Sequence, residues 1–403
     1  MNRLEELNLK LNALVIFHRL LDDGALRLLP AVLASGDMGM ERKVSNYAAF
    51  AAALFEKSVC LSDYLWELAA ADPNAYVMRL ARGEQPEPEL ERCLDRELQT
   101  LQELSSLTAG DELAAIGNGV YLPVWTNRSI DFAVEYRRRA SRVSELGYGM
   151  FTVHHMFSVS NGRVLPVLSP DTIRLSHLSG YESERQAVVQ NSLALLRGAP
   201  AANVLLYGDA GTGKSSTVKA IVNEYADRGL RLVEIRKQQL NMLPAVLESL
   251  QGNPLKFILF IDDLSFTAVN EEIGALKAIL EGSVSAKAKN TVIYATSNRR
   301  HLIDERFSDR ADDELNRNET IQEQVSLSDR FGLAVRFARP DKEQYLAIVR
   351  ALAAQYGVEI TVQQELLAER WALERGGRSP RVARQFVESV AATHPCHHRP
   401  NQV

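Results

Sequence analysis

The fold of this chain is decided by one stretch, Asn203-Val204-Leu205-Leu206-Tyr207-Gly208-Asp209-Ala210-Gly211-Thr212-Gly213-Lys214-Ser215-Ser216. Its apolar first half predicts a buried parallel strand, and the residues after the glycine-rich turn follow a helical pattern as far as Tyr225. The glycines at positions 208 and 213, followed by Lys214 and Ser215, match the spacing G-x-x-x-x-G-K-[ST]. A strand, this loop and a helix in that order are typical of a phosphate-binding loop.

The loop residues predict how phosphate groups would be held. Glycine lets the backbone curl until successive N–H groups point at phosphate oxygens, and the new helix presents its positive N-terminal end to the same anion. We expect Lys214 to reach the β- and γ-phosphates and the Ser215 hydroxyl to bind Mg²⁺. The alternative is a tight strand–helix turn without a ligand. The residues expected to bind the nucleotide are Gly208, Asp209, Ala210, Gly211, Thr212, Gly213, Lys214, Ser215 and Ser216.

The composition is that of an ordinary globular protein. Of the 403 residues, 46% are hydrophobic and 24% are charged, and this length suggests about three domains. The net charge of −5 gives no overall basic footprint for nucleic acid, and three widely spaced cysteines argue against a disulfide framework. The first residues hold no secretory apolar core, and no apolar stretch approaches the roughly 20 residues that span a bilayer. We therefore expect a cytoplasmic protein without a membrane partner.

The chain before the phosphate loop predicts helices and then a hairpin. Residues 1–150 carry apolar side chains at helical spacing and predict a helical domain of unknown role. One of its helices, over about 89–107, has acids that we expect to form a solvated face. The basic run Arg137–Arg142 is interpreted as a solvated helix face, with a patch for nucleic acid or an acidic partner as the alternative. Alternating residues around Asn161-Gly162 predict a β-hairpin.

From position 203 the pattern alternates between strand and helix. Strands are predicted at 203–207, 231–235, 257–261, 290–296 and 333–337. This alternation predicts an α/β fold with a parallel sheet flanked by helices and joined by right-handed crossovers. Three final helices, expected at 341–356, 362–375 and 380–393, predict a small helical lid. We therefore expect the nucleotide-binding domain at 151–339 and the lid at 340–403.

Polar side chains end two of the predicted strands. Asp262 and Asp263 follow the third strand, and Asn298 follows the fourth. Ligands gather at the carboxyl ends of parallel strands, so these groups should lie at the same edge as the phosphate loop. We assign Asp262 to the metal and Asp263 to the attacking water. The Asn298 amide is expected to hydrogen-bond the γ-phosphate and that water. The alternative is a pair of acids that only caps a strand–helix turn.

The order of these features resembles that of AAA+ ATPases, which are P-loop NTPases. The resemblance narrows to a family of bacterial AAA+ ATPases, the domain-of-unknown-function family numbered 815, and covers roughly half the chain, from Ser176 to Val387. The stretches similar to its hallmarks are Asn203-Val204-Leu205-Leu206-Tyr207-Gly208, Asp262-Asp263-Leu264-Ser265-Phe266, Ala295-Thr296-Ser297-Asn298-Arg299-Arg300-His301-Leu302 and Ser328-Asp329-Arg330-Phe331-Gly332.

The resemblance implies further roles at matching positions. Asn298 would be the first sensor, Arg330 the arginine finger that reaches a neighbouring subunit, and Arg381 the second sensor, with Arg378 as its rival. It also implies ATP and Mg²⁺ as ligands and a homo-oligomer, either a ring or a helix. The chain departs from the usual AAA+ pattern at Asp263, where most members carry Glu. The aspartate side chain is shorter by one carbon–carbon bond, about 1.5 Å.

Four functions follow from this reading. The leading one is an AAA+ ATPase that binds and hydrolyses Mg-ATP in an oligomer and remodels or moves an unknown protein partner selected by the amino-terminal domain. A slow nucleotide-dependent switch is the alternative that Asp263 suggests. A nucleic-acid-associated loader is less favoured, because only Arg137–Arg142 and Arg299-Arg300 offer basic charge. A small-molecule kinase is disfavoured, since Arg330 and the lid suit a neighbour's nucleotide better than a second substrate.

Overall fold

The computed structural model describes residues 2–34, 38–108, 121–264, 276, 280, 289–298 and 330–393. The chain divides into two compact units, Met1–Val153 with Gly252–Pro254, and His154–Gln251 with Leu255–Val403. The basic pair Arg299-Arg300 and parts of the hallmark stretches lie outside the described residues. None of the helices within the described ranges has the length and apolar content to cross a membrane.

The amino-terminal unit is helical, as its apolar spacing predicts. Each longer helix buries one apolar face; α1, for example, buries Leu7 and Leu11 while Leu9 stays exposed, because every third or fourth residue returns to the same side. The helices of this unit are Arg3–Asn12 (α1), Leu29–Leu33 (α2), Met40–Phe55 (α3), Leu61–Ala71 (α4), Ala75–Ala81 (α5), Pro88–Ser105 (α6), Phe132–Ala140 (α7) and Val143–Leu146 (α8).

One acid on α6 is buried instead of solvated. Glu97 is only 6% exposed, and its carboxylate accepts the backbone N–H groups of Val15 (2.8 Å), Ile16 (3.1 Å) and Phe17 (3.0 Å). A buried carboxylate is stable only when such donors surround it. The prediction of a solvated acidic face is therefore wrong at Glu97, where the carboxylate instead binds the chain that follows α1.

The second unit contains a seven-stranded sheet in the order β2-β1-β4-β5-β6-β3-β7. All neighbouring strands are parallel except β1 and β2. The strands are Met156–Ser160 (β1), Arg163–Pro166 (β2), Val204–Gly208 (β3), Leu230–Glu234 (β4), Lys256–Ile261 (β5), Thr291–Ser297 (β6) and Leu333–Phe337 (β7). The described helices between them are Glu182–Leu196 (α9), Lys214–Tyr225 (α10) and Leu243–Leu250 (α11). The predicted α/β class is confirmed, and the five predicted strands match to within one residue at each end.

The predicted hairpin is part of this sheet. Asn161 and Gly162 form its turn with φ of 49° and 72°, as expected for a two-residue hairpin connection. Its first strand, β1, also pairs in parallel with β4, from Met156 opposite Leu232 to Ser158 opposite Glu234. The sequence predicted the hairpin but not that it extends the sheet beyond β4.

The phosphate-loop strand β3 lies between β6 and β7, where its last residue packs closely against β7. A Cβ on Gly208 would lie 2.2 Å from the carbonyl oxygen of Phe337, so no larger residue fits. The next N–H, that of Asp209, donates to the same oxygen at 3.1 Å. The strands β5, β6 and β3 are adjacent in the sheet in that order. The acid pair follows β5, Asn298 follows β6 and the phosphate loop follows β3, so these three groups lie at neighbouring carboxyl ends.

Three helices form the lid around their own apolar core. They are Lys342–Gln355 (α12), Val362–Glu374 (α13) and Pro380–Thr393 (α14), close to the three helices predicted at 341–356, 362–375 and 380–393. We call these three helices the lid; their role as a lid stays a prediction. Side chains of Asp341 and Thr361 cap α12 and α13. Between the helices, Val349, Ala368 and Val387 are completely buried.

Candidate nucleotide-binding site

The phosphate loop connects β3 to α10 and depends on glycine at three positions. Gly208, Gly211 and Gly213 have φ of 129°, 77° and 91°, a region that side-chain-bearing residues rarely occupy. The turn ends where α10 begins at Lys214, so the N-terminal end of a 12-residue helix faces the concave side of the loop. The loop therefore has the geometry of an anion cradle.

Lys214 is buried behind this loop, with 5% of its surface exposed. Its ammonium group donates to the carbonyl oxygens of Gly208 (3.0 Å) and Asp209 (2.7 Å). Burial lowers the pKa of Lys214 to about 8, although the carboxylates of Asp209, Asp262 and Asp263 oppose the shift. The side chain holds the loop closed, and a polyanion in the cradle would restore its full charge.

Asp262 directly follows the strand β5 and faces the first turn of α10. Its Oδ1 atom accepts hydrogen bonds from the hydroxyls of Ser215 and Thr296, each at 2.6 Å. A serine hydroxyl and a carboxylate so close together form a hard-oxygen pair, which is the donor set that Mg²⁺ prefers. The residues present therefore fit a magnesium ion, which Ser215 and Asp262 would hold beside the phosphates.

Asp263 adopts a left-handed backbone conformation with φ of 54°, which aspartate tolerates better than most residues. Its N–H donates to the Thr296 hydroxyl at 2.8 Å, and its Oδ1 accepts from the Asn298 amide at 2.9 Å. The second oxygen, Oδ2, lies 3.5 Å from the ammonium group of Lys237. The sheet thus brings together Asp263 and Asn298, as the sequence predicted, and adds Lys237 and Thr296.

The lid contacts the phosphate loop directly. The N–H of Arg381, in the first turn of α14, donates to the carbonyl oxygen of Gly211 at 3.2 Å. Arg378 instead makes two hydrogen bonds to Glu369, at 2.9 and 3.0 Å, within the lid. Of the two rival arginines, Arg381 therefore lies beside the loop and lines its cavity, whereas Arg378 is paired within the lid.

A cavity of about 440 Å³ lies between the loop and the lid, within the range of about 300–1,000 Å³ that is common for small-molecule sites. Residues 210–217 line it, together with Asp262, Asp263, Asn298 and Arg381. Arg330 lies three residues before β7 begins at Leu333 and is not among the described residues that line this cavity. The chain brings all the predicted acids and sensors to one cavity and leaves the predicted arginine finger elsewhere.

Sequence reasoning missed several groups at this site. Thr296 and Lys237 contact the acid pair, and His177 and Arg384 line the cavity beside the lid. Thr296 carried a signal, because it lies two residues before Asn298 on the same strand. Lys237 carried none, since its contact depends on β4 and β5 being neighbours in the sheet.

We expect nucleotide binding to take up a proton at alkaline pH. The pKa of Lys214 is about 8 in the free protein, and phosphate oxygens raise it by favouring the ammonium form. Affinity should therefore be constant below that pKa and fall as the pH rises from about 8 to 9.5. Titration calorimetry in buffers of different ionisation enthalpy measures the uptake. Lys214→Met should abolish it, and equal heats in all buffers at the upper pH would contradict the expectation.

Comparison with known proteins gives a family and a set of similar structures. The sequence model of the family described as "Protein of unknown function (DUF815)" matches residues 151–394. No curated protein matches the chain. Among solved structures, the RuvB Holliday junction branch migration motor of Thermotoga maritima is similar at 19% identity and a TM-score of 0.38, over 55% of this chain and 64% of the motor. Two variants of the motor are 19% and 18% identical, with TM-scores of 0.38 and 0.37, over 55% of this chain and 64% and 65% of theirs. The chain thus spans less than two thirds of these structures.

Proposed function

This chain belongs to the DUF815 family, and we propose that it is an AAA+ ATP hydrolase that works on Mg-ATP in a homo-oligomer and remodels or moves a protein partner. One observation carries the proposal. The Ser215 hydroxyl lies 2.6 Å from the Asp262 carboxylate, directly beside a glycine-rich loop whose lysine is buried. A metal position next to a phosphate cradle supports phosphoryl transfer from a nucleoside triphosphate.

The chemistry follows from the positions of the surrounding groups. Loop N–H groups and Lys214 bind the β- and γ-phosphates. Mg²⁺ held by Ser215 and Asp262 would neutralise part of the phosphate charge. The carboxylate of Asp263 orients the attacking water and accepts its proton as the water oxygen bonds to the γ-phosphorus and the bond to the β-phosphate oxygen breaks. Asn298, hydrogen-bonded to Asp263, places its amide where the γ-phosphate and that water meet.

Two variants of the acid pair test this assignment. Asp262→Ala should weaken Mg²⁺-dependent ATP binding, because the metal loses a hard oxygen ligand. Asp263→Asn should keep Mg-ATP binding and lose turnover by at least about 100-fold, because an amide cannot accept the proton. Asparagine is also tolerated at positive φ, so the local backbone is preserved. Binding is measured by calorimetry and turnover by phosphate release. Full turnover in Asp263→Asn would reject the proposed role.

A slow nucleotide-dependent switch is a second candidate, and the surroundings of Asp263 favour it. Both oxygens of this carboxylate already face donors, Asn298 at 2.9 Å and Lys237 at 3.5 Å. A carboxylate held in this way is less available to a water molecule. In the switch hypothesis, nucleotide binding causes the protein to assemble with its partner, and slow hydrolysis only determines how long that complex lasts.

Replacing Lys237 separates the two candidates. Exposed ion pairs contribute about 0–1 kcal/mol, so Lys237→Met should raise the hydrolysis rate up to about fivefold if the pair restrains Asp263. KM for ATP should not change. Lys219, which lies 4.0 Å from Glu234, provides the control as Lys219→Met. A rate that falls in Lys237→Met would show that Lys237 assists the reaction instead of restraining it.

The basic run Arg137–Arg142, at the end of α7 and just after it, does not support a nucleic-acid loader. Three of its arginines are within ion-pair distance of carboxylates, namely Arg137 with Asp95, Arg138 with Glu135 and Arg142 with Glu145. Arg139 donates to the carbonyl oxygen of Ala70 and is partly buried. Because their charge is largely neutralised within the unit, we propose a protein, not a nucleic acid, as the partner of the amino-terminal domain. Strong salt-dependent DNA binding by the full chain would contradict this.

A further inference from the structure

Six arginines occur between residues 340 and 393, and four of them are satisfied within the lid. Three form ion pairs, Arg350 with Glu365, Arg370 with Glu374 and Arg378 with Glu369. Arg375 stacks on the ring of Trp371, 3.5 Å from its centroid. The remaining two, Arg381 and Arg384, have no carboxylate within ion-pair distance in the described part of the chain.

These two arginines share the cavity that the phosphate loop forms. They are three residues apart on α14, so they lie on one face of the helix, about 4.5 Å apart along its axis. Arg381 lies at the loop end, where its N–H binds the carbonyl of Gly211. Arg384 lies one turn further along α14, where its Nη2 atom is 3.5 Å from the carbonyl oxygen of His177.

The contact of Arg384 does not satisfy its charge. A separation of 3.5 Å is at the outer limit for a hydrogen bond, and a carbonyl is a neutral acceptor. An always-charged planar guanidinium matches the oxygens of a phosphate group best. His177, Leu178 and Ser179 also line the cavity. The chain just before them is bound near the end of α10 that lies away from the phosphate loop, where the Asn223 amide donates to the carbonyl oxygens of Asp171 and Ile173.

We propose that Arg384 is a second nucleotide-binding arginine of the lid, which contacts the α-phosphate and ribose end that ATP and ADP share. Arg381 acts at the terminal phosphate. This inference rests on the proposed nucleotide site. It assigns the two ends of the bound nucleotide to two side chains of one helix. The lid then holds a nucleotide before and after hydrolysis through Arg384, and distinguishes the two states through Arg381.

The test compares the affinities for ADP and for a non-hydrolysable ATP analogue, both with Mg²⁺, by titration calorimetry on the full chain. Arg384→Ala should weaken both ligands equally, by about tenfold each, so that their affinity ratio is unchanged. Arg381→Ala should weaken the ATP analogue more than ADP and change the ratio. Arg384→Lys should recover part of the loss. Arg370→Ala, which removes an exposed lid arginine paired with Glu374, should leave both affinities unchanged.

The outcomes separate this inference from the proposed function. If Arg384→Ala binds both ligands within twofold of wild type, the inference is overturned and the proposed function is not. If only the affinity for the ATP analogue falls, Arg384 lies at the γ-phosphate and the inference is also overturned. A wild-type chain that binds neither ligand, or one whose binding does not depend on Lys214, would reject the nucleotide site itself. If the unfolding temperature of Arg384→Ala without nucleotide shows that this variant does not fold, Arg384→Gln replaces it. Glutamine keeps much of the aliphatic stem and removes the charge, so it carries the same expectations.

Discussion

Arg330→Ala is expected to bind ATP with unchanged affinity and to hydrolyse it about 10³–10⁵-fold more slowly. On the proposed function, Arg330 reaches the γ-phosphate held by a neighbouring subunit, where a planar guanidinium stabilises the spread negative charge of the transition state. Its position before β7, outside the described lining of its own chain's cavity, is compatible with that role. Calorimetry measures the binding and phosphate release the turnover. Arg163→Ala, at an exposed arginine of β2, is the control and should keep full activity.

Mixed assemblies give a sharper version of this test. Arg330→Ala and Asp263→Asn subunits should each be nearly inactive alone, but some interfaces in a mixture pair an intact acid from one subunit with an intact Arg330 from the next. Activity should then partly return, because head-to-tail contacts place the two groups in one site. If exchange of labelled subunits confirms the mixing but no hydrolysis activity returns, Arg330 acts in the site of its own subunit or takes no part in the reaction.

Lys214→Met should weaken ATP binding by at least about 100-fold, since two charge-assisted hydrogen bonds to phosphate, each about 1.5–3 kcal/mol, are lost. Methionine keeps most of the buried apolar stem, so the loss reports charge more than packing. Both variants lose the hydrogen bonds of the ammonium group to the carbonyls of Gly208 and Asp209. Lys214→Ala should lose the same affinity and more stability than Lys214→Met, because it also removes the buried apolar stem. Lys219→Met, on the same helix, serves as the matched control. Retained affinity in both Lys214 variants would reject the phosphate-loop reading.

The strands and the phosphate loop could be predicted because their signals are local. A short apolar run that ends in a glycine-rich turn favours a buried strand over a helix, so β3 and its loop could be predicted from residues 203–216 alone. The same holds for β5, where five apolar residues precede Asp262. Each of these patterns depends only on residues that are close in the sequence, which are the signals that predict strands and turns.

Contacts between distant residues could not be predicted in the same way. Spacing alone left Arg378 and Arg381 as rivals, and only the pairing of Arg378 with Glu369 on α13 separates them. Lys237 and Asp263 are 26 residues apart, and they meet because β4 lies beside β5. Similarly, the burial of Glu97 depends on where the chain after α1 passes, which no helical pattern on α6 reveals.

The hairpin beside β4 also determines what the sheet offers to other molecules. A parallel sheet that ended at β4 would present a full row of unpaired N–H and C=O groups, which can template the addition of a strand from another chain. Here the outermost strand is β2, only four residues long, with an exposed Arg163 at its start and Pro166 at its end. The charge of Arg163 and the missing N–H of Pro166 both disfavour pairing of β2 with a strand from another chain. The hairpin that turns at Asn161-Gly162 thus makes the addition of a strand from another chain less favourable at this edge than it would be at an exposed β4.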